Sequence, residues 1–244
     1  MDEQWSGFSY IVTNLARFIR PNEITFSGVN STLPMLACLL AKRAYNWDFI
    51  YINVAGGVDP VVEHIPLSSS DPALAHGSAS IFSNEDFYDL CTRGRMDLTF
   101  LGAAQIDGEG NVNNSAIGSW HKPKVRLPGG GGGAVMLPTA NRACTWRTEH
   151  SMRTLVDKLD FLTSWGGMSG VVTPIAVFVK HEGRLALDSW HPEVALDEVR
   201  ERTGFTFDAS TAKPTPIPSD NEKDALATLD PDGCFERDAA IKLR

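Results

Sequence analysis

The segment KVRLPGGGGGAVML places five glycines in a row, Gly129 to Gly133, between a proline and an apolar run. Bare backbone forgoes side-chain packing and loses much entropy on ordering, so a fixed glycine run must serve a purpose. Two uses compete. A flexible linker sits among serines, threonines or charges and divides two domains. A backbone nest turns N–H groups toward negative charge, where any Cβ would intrude. Here AVMLP follows at once and ordered elements read on both sides, which favours the nest. Lys122, Lys124 and Arg126 just before it add positive charge suited to an anion or a developing oxyanion.

Other chemistry-bearing residues read less well. Gly129, Gly131 and Ala134 satisfy GxGxxA, but KPKVRLP stands where a buried strand should lead in. A phosphate-binding loop needs Gly-Lys-Ser/Thr at its end, and Ala134-Val135 stands there. GMSGV (167–171) approaches a serine elbow with Val171 in place of the last glycine. Asp107 and Glu109 share a DGEGN turn, where acids are usually solvated, and His121 and His150 stand alone. Cys38, Cys91, Cys144 and Cys234 are scattered without CxxC, and no HExxH or HxxxH occurs. No protein-held metal and no disulfide framework are expected.

These residues sit in a chain of 244 residues with net charge −8, 43% hydrophobic and 21% charged. That composition is ordinary for a globular protein, and its acidity argues against a nucleic-acid or membrane-surface binder. MDEQWSGFSY lacks a basic then apolar leader and no apolar run reaches membrane-spanning length, so a cytoplasmic protein is expected.

Apolar spacing from Trp5 to Ile19 predicts a helix ending before Pro21. Residues 23–29 read as a strand, and a helix follows to about Tyr45, capped by Asn30 or Ser31 with Pro34 in its first turn. DFIYINVAGG (48–57) and MDLTFLGA (96–103) read as strands buried on both faces, with an Asn84-capped helix between them. Residues 104–117 predict a hairpin or tight loop around Asp107 to Gly110, 150–164 a helix, 171–190 strand–turn–strand, and 195–204 a helix stopped by Gly204 at C′. The alternation predicts an α/β fold, an open and mostly parallel sheet with helices on both faces. It makes 1–210 one domain and 211–244 a Pro-rich linker, KPTPIP, with a short helical tail.

The order of RGRMDLTFLGAAQIDGEGNVNNSAIG (93–118), PGGGGGA, TPIAVFV and HPEVALDEVRERTGFTF (191–207) resembles the beta chain of class I CoA-transferases, most nearly the glutaconate type. The resemblance runs from about residue 8 to 233. It implies that the glycine loop approaches an acyl-CoA thioester, with Gly130, Gly131 and Gly132 as oxyanion support. It also implies substrate contacts from Asn53, Ala55, Gly56, Gly57, Gln105, Arg126, Gly129 and Gly133, with coenzyme A entering only as part of the substrate.

One departure bears on the chemistry. In those transferases a glutamate in the turn after the second buried strand becomes a covalent carrier. Here that turn is NVAGGVDP, Asn53 to Pro60, with Ala55 or Gly56 in the glutamate's place and Asp59 and Glu63 beyond it. A pair lacking this glutamate resembles the actinobacterial cholesterol ring-cleaving hydrolases. That resemblance implies a beta subunit in an α2β2 heteromer whose alpha chain supplies the catalytic acid. The implied reaction opens the last steroid ring, a cyclohexenone carboxyl-CoA, by water addition and carbon–carbon cleavage. Two alternatives stand: a CoA-transferase subunit with a displaced carboxylate, and a non-catalytic acyl-CoA-binding or scaffold subunit.

Overall fold

In the computed structural model, which describes residues 6–62, 64–239 and 241, the first apolar period forms α1, Gly7–Phe18, with the Ser6 hydroxyl accepting the Ser9 N–H. Trp5 and Glu63 lie outside the described residues. Then come β1 (Ile24–Ser27), α2 (Thr32–Tyr45) after Ser31, and β2 (Ile50–Asn53). Two short strands follow, β3 (Gly57–Val58) and β4 (Ser80–Ile81), before α3 (Asn84–Thr92). Ser83 rather than Asn84 caps α3, because Asp86 is placed to complete a capping box with it.

β5 (Leu98–Gly102) leads into two hairpins, β6 (Gln105–Ile106) with β7 (Val112–Asn113), and β8 (Ala116–Ser119) with β9 (Lys122–Arg126). α4 (Gly133–Thr139), β10 (Arg142–Trp146) and β11 (Met168–Val172) continue the chain. A hairpin of β12 (Ala176–His181) and β13 (Arg184–Trp190) precedes α5 (Leu196–Arg202). β14 (Lys213–Pro214), α6 (Asp220–Leu229) and α7 (Cys234–Ala239) complete it.

The main sheet runs β14-β13-β12-β11-β10-β5-β1-β2-β3-β4. Its centre, β11 to β2, is parallel, and antiparallel strands flank it on both sides. Neighbouring strand residues point to opposite faces. Phe100 and Val172 therefore join a core with α1, α2, α6 and α7, while Leu101 and Val171 join one with α3, α4 and α5. The expected α/β sheet with helices on both faces is present.

Three segments differ from the sequence reading. Residues 150–164 form no long helix. After one turn at Ser151, the Ile106 N–H bonds the Thr154 carbonyl and the Val156 N–H bonds the Ile106 carbonyl. The apolar Leu155 and Val156 are drawn onto the 105–113 hairpin, so tertiary pairing overrides helical period. Gly204 follows α5 but has no left-handed backbone; it is glycine because a Cβ would strike the Leu155 carbonyl. The KPTPIP segment carries an edge strand, β14 on β13, and Thr215 bonds the Tyr10 hydroxyl at 2.9 Å. Beyond it, Glu222 forks onto Arg17 with both oxygens at 3.0 Å, and Ala225, Leu229 and Phe235 enter the core of α1 and α2.

Candidate functional site

A cleft of about 760 Å³ opens where the parallel strands end. Its floor is Gly28 and Val29 after β1, Gly102 to Ala104 at the end of β5, and Trp146 to Thr148 at the end of β10. From β1 the chain proceeds outward to β2, whereas from β5 it proceeds to β10 on the other side. The cleft thus lies at the switch point where open α/β sheets bind ligands. Gly129 to Gly133 form one wall, and Phe26, Phe87, Phe100 and Met136 give it an apolar lining.

The glycine run has a fixed conformation, set by two alternating constraints. Gly129 and Gly131 have φ of +98° and +48°, which side chains rarely adopt. At Gly130 a Cβ would lie 2.9 Å from the Ala134 Cβ and 3.0 Å from the Thr163 Cγ2, and at Gly132 it would lie 2.8 Å from the Tyr88 hydroxyl. Asn114 ties the loop to the sheet. Its carbonyl accepts the Gly129 N–H at 2.7 Å, while its side chain donates to the Gly102 carbonyl and accepts the Ala104 N–H. Ser164 holds the far end by donating to the Gly133 carbonyl at 3.1 Å. Among the described residues, the N–H groups of Gly130, Gly131 and Gly132 have no acceptor. Gly131 is exposed and Gly130 and Gly132 are half-buried, and all three border the cleft.

The turn after β2 borders a second, smaller hollow of about 220 Å³ lined by Asn53, Val54, Ala55 and Gly56 with Phe82 to Asn84. Asn53 shapes it: its Oδ1 accepts the Ala55 and Gly57 N–H groups and its Nδ2 donates to the Leu74 carbonyl. Gly56 has φ of +91°, and a Cβ there would lie 2.8 Å from the Phe82 carbonyl oxygen. Of Ala55 and Gly56, only Ala55 therefore has a backbone able to carry a longer side chain. Asp59, the nearest described carboxylate in sequence, is committed elsewhere, accepting the Tyr51 N–H at 2.9 Å and pairing with Lys42 at 3.1 Å.

The remaining expected contacts are placed apart from the cleft. Gly57 is buried against the Leu74 carbonyl. Gln105 is buried in a network with Asn113 and Asp160. Arg126 lies 4.0 Å over the Trp120 ring on the exposed β8–β9 hairpin. That hairpin is separate from the main sheet, so the dinucleotide reading of the loop has no buried lead strand. Ser169 sits inside β11 and not on a strand-to-helix elbow. The Asp107 carboxylate accepts the Glu109 and Asn111 N–H groups within its turn. His150 is buried between the Thr173 and Thr203 hydroxyls, and burial, with Arg202 nearby, pushes its pKa down to about 3. Cys91 is pushed up to about 11 by burial.

Two contributors have no strong sequence signal. Asn114 is one polar residue in NVNNS, and Arg147 is an unremarkable arginine after a strand. Only the meeting of strand ends puts both in the cleft. Arg147 is part-buried there; its Nε has no hydrogen-bond partner, and burial lowers its pKa against a smaller opposing effect of Glu149. The only other described ionisable side chains lining the cleft are Tyr88 and Asp238.

Among the described residues, no helix is long and apolar enough to cross a membrane. Residues 9–202 match the family described as Coenzyme A transferase. The chain is 33% identical to one of the subunits of a 3-oxoadipate CoA-transferase from Pseudomonas knackmussii, over 88% of this chain and 89% of that one. It is 27% identical to the IpdB subunit of a cholesterol ring-cleaving hydrolase from Rhodococcus jostii, over 86% and 87% respectively, so the hydrolase is no nearer than the transferases. The crystal structure of the decarboxylase AibA/AibB superposes with a TM-score of 0.87 at 28% identity, covering 95% of this chain and 98% of that one. The match over most of the chain, the shared fold and the glycine-walled cleft lead to one conclusion: the chain belongs to the coenzyme A transferase family.

Proposed function

We propose that this chain is the beta-type subunit of a heteromeric acyl-CoA enzyme that breaks a carbon–carbon bond and leaves the thioester intact. In its specific form it is a hydrolase opening a cyclohexenone carboxyl-CoA, the last steroid ring. One pairing carries the reading: a fixed loop with three unpartnered N–H groups beside a turn without an oxygen nucleophile. Water adds to the ring ketone, and the bond to the carbon alpha to the thioester breaks. One fragment end becomes a carboxylic acid, and the electron pair stays on the alpha carbon. That charge delocalises onto the thioester oxygen, where Gly130 to Gly132 donate, each such donor being worth about 3–4 kcal/mol. Protonation of the alpha carbon completes the reaction.

No histidine, cysteine or glutamate lines the cleft among the described residues and Asp238 is its only carboxylate, so at least one of the base and the acid comes from an alpha-type partner. Val29, 70% exposed where it borders the cleft, together with exposed Trp120, Leu162 and Trp165, offers apolar surface for such a chain. The working unit is a cytoplasmic α2β2 assembly that needs no cofactor beyond the coenzyme A of its substrate. Similarity to a ring-cleaving hydrolase and to a decarboxylase supports carbon–carbon cleavage. The 33% identity to a transferase subunit favours the second reading, CoA transfer through a carboxylate outside this turn.

Product analysis separates the two. With a cyclohexenone carboxyl-CoA, the assembled enzyme is expected to yield a ring-opened acyl-CoA heavier by one water, with its thioester intact. CoA passing instead to added succinate or acetate would establish the transferase reading.

A further inference from the structure

LDPDGCF, residues 229 to 235, joins α6 to α7, and α7 brings Phe235, Asp238 and Ala239 to the border of the cleft. These two helices come from the face opposite the glycine wall. Ala225, Leu229 and Phe235 pack in the core of α1 and α2, whereas Met136 and Leu137 of α4, which the glycine run leads into, pack on the other face of the sheet. The cleft thus has a second wall, built from the C-terminal segment.

That wall is held at successive joints along the chain. The Tyr10 hydroxyl bonds Thr215 at 2.9 Å, and Arg17 donates to the Pro216 carbonyl at 3.0 Å. The Glu222 side chain, on a residue only 2% exposed, then fastens α6. It accepts from Arg17 at both oxygens, from the Tyr45 hydroxyl and from the Ser219 N–H. The last joint is Asp230. Its Oδ1 accepts the Phe235 N–H at 3.1 Å and its Oδ2 the Glu236 N–H at 2.9 Å, while its carbonyl accepts the Gly233 N–H. Gly233 turns the chain between them with φ of +63°, a backbone that side chains rarely adopt. A helix of six residues is marginal by itself, and its first N–H groups find no partner within it. Asp230 gives two N–H groups their acceptors, so this carboxylate fixes the angle at which α7 leaves α6. Phe235 seats α7 against the core, and Asp238 and Ala239, one turn on, border the cleft.

We infer that Asp230 is a positioning residue: by holding α7 on α6 it sets the second wall of the cleft, against which the acyl part of the thioester packs. The inference rests on the acyl-CoA reading of the cleft. Asp238 selects between the two parts of that ligand. Its carboxylate on the wall repels the phosphates of coenzyme A, so the acyl part is what lies against α7. Asp230 itself does not line the cleft and acts through α7.

The test compares the assembled heteromer carrying Asp230→Ala, which removes both acceptors, with Asp230→Asn, which keeps one. Calorimetric titration with hexanoyl-CoA and with free coenzyme A reads the ligand, and amide hydrogen exchange reads the wall. Asp230→Ala is expected to weaken hexanoyl-CoA by about 3- to 30-fold, the scale of losing a helix cap, with coenzyme A unchanged and faster exchange confined to α7. Asp230→Asn is expected to recover part of the loss. Asp208→Ala is the control, because the Asp208 carboxylate likewise accepts a backbone N–H, that of Ser210 at 2.8 Å, and does not line the cleft. It is expected to bind both ligands as the parent does. Faster exchange in α7 with hexanoyl-CoA binding unchanged would leave Asp230 a purely structural role and overturn the inference. Equal weakening of both ligands, faster exchange spreading into α1 and α2, or a dissociated heteromer would overturn it as well. If the parent binds coenzyme A and gains nothing from the hexanoyl chain, this inference falls while the coenzyme A reading of the cleft stands. If the parent binds neither compound, the acyl-CoA reading itself fails, and this inference with it.

Discussion

Purified without its partner, the chain is expected to fold yet turn over acyl-CoA at least about 10³-fold more slowly than the assembled enzyme, the scale on which acid–base groups contribute. The argument is one of inventory. Carbon–carbon cleavage by water needs a base to activate the water and an acid to protonate the carbanion. The described cleft offers only Tyr88, Arg147 and Asp238 as ionisable side chains. A tyrosine and an arginine are poor bases at neutral pH, His150 is held in the core between two threonines, and Asp238 alone cannot supply both the base and the acid. What the chain does supply is oriented backbone, which stabilises charge but moves no protons. Sedimentation and rate assays of the lone chain, then of the reconstituted pair, are the check. Full turnover by a monodisperse lone chain would contradict the division of labour proposed here.

In the assembled enzyme, Gly131→Val is expected to lower kcat/KM by about 10²- to 10³-fold, mostly in kcat, as for loss of an oxyanion donor. Gly131 has φ of +48° with nothing within 4 Å of a Cβ built on it. The added Cβ therefore meets no protein atom, so the change acts first through the backbone. A β-branched residue is strained at that φ, and relief of the strain rotates the peptide groups on either side. Those peptide groups carry the unpartnered N–H groups of Gly131 and Gly132, which border the cleft. A linker would tolerate the change. Glu109→Ala serves as a control, since Glu109 is exposed in its turn and only its side chain bonds Asn111, at 3.3 Å; its turnover is expected to match the parent. Gly183→Val strains another positive-φ glycine, φ +83°, in the β12–β13 turn, and is expected to cost stability but not rate. Near-normal turnover by an assembled Gly131→Val enzyme would remove the loop from catalysis.

How much of this was legible in the residues differs by element. Continuous apolar runs marked β2 and β5 because strands buried on both faces have no polar side to interrupt them. The glycine run was legible because its neighbours were wrong for a linker. The 150–164 segment was not, since its apolar spacing serves one-residue bridges to a hairpin some fifty positions earlier, and local period carries no record of that. The 213–218 prolines looked like a spacer, yet an edge position tolerates missing N–H groups, and β14 takes one. Asn53 was legible as part of the turn, while Gln105 rested on resemblance alone and Arg126 on its charge beside the glycine run, and both lie in other networks. Asn114 and Arg147 carry no local signature. Their roles arise where β5 and β10 end side by side.

The central claim is that no carboxylate of this chain carries the acyl group or coenzyme A. Within the turn, Gly56 cannot take a side chain without meeting the Phe82 carbonyl, Ala55 has no oxygen, and Asp59 is held by Lys42 and the Tyr51 N–H. The most direct measurement exposes the assembled enzyme to acyl-CoA, traps with borohydride or hydroxylamine, and maps both subunits by mass spectrometry. The account predicts no modified aspartate or glutamate anywhere in this chain, with the ring-opened acyl-CoA accumulating in the untrapped sample. A trapped adduct on Asp59, Glu63 or any other carboxylate of this chain would contradict it and restore covalent CoA transfer.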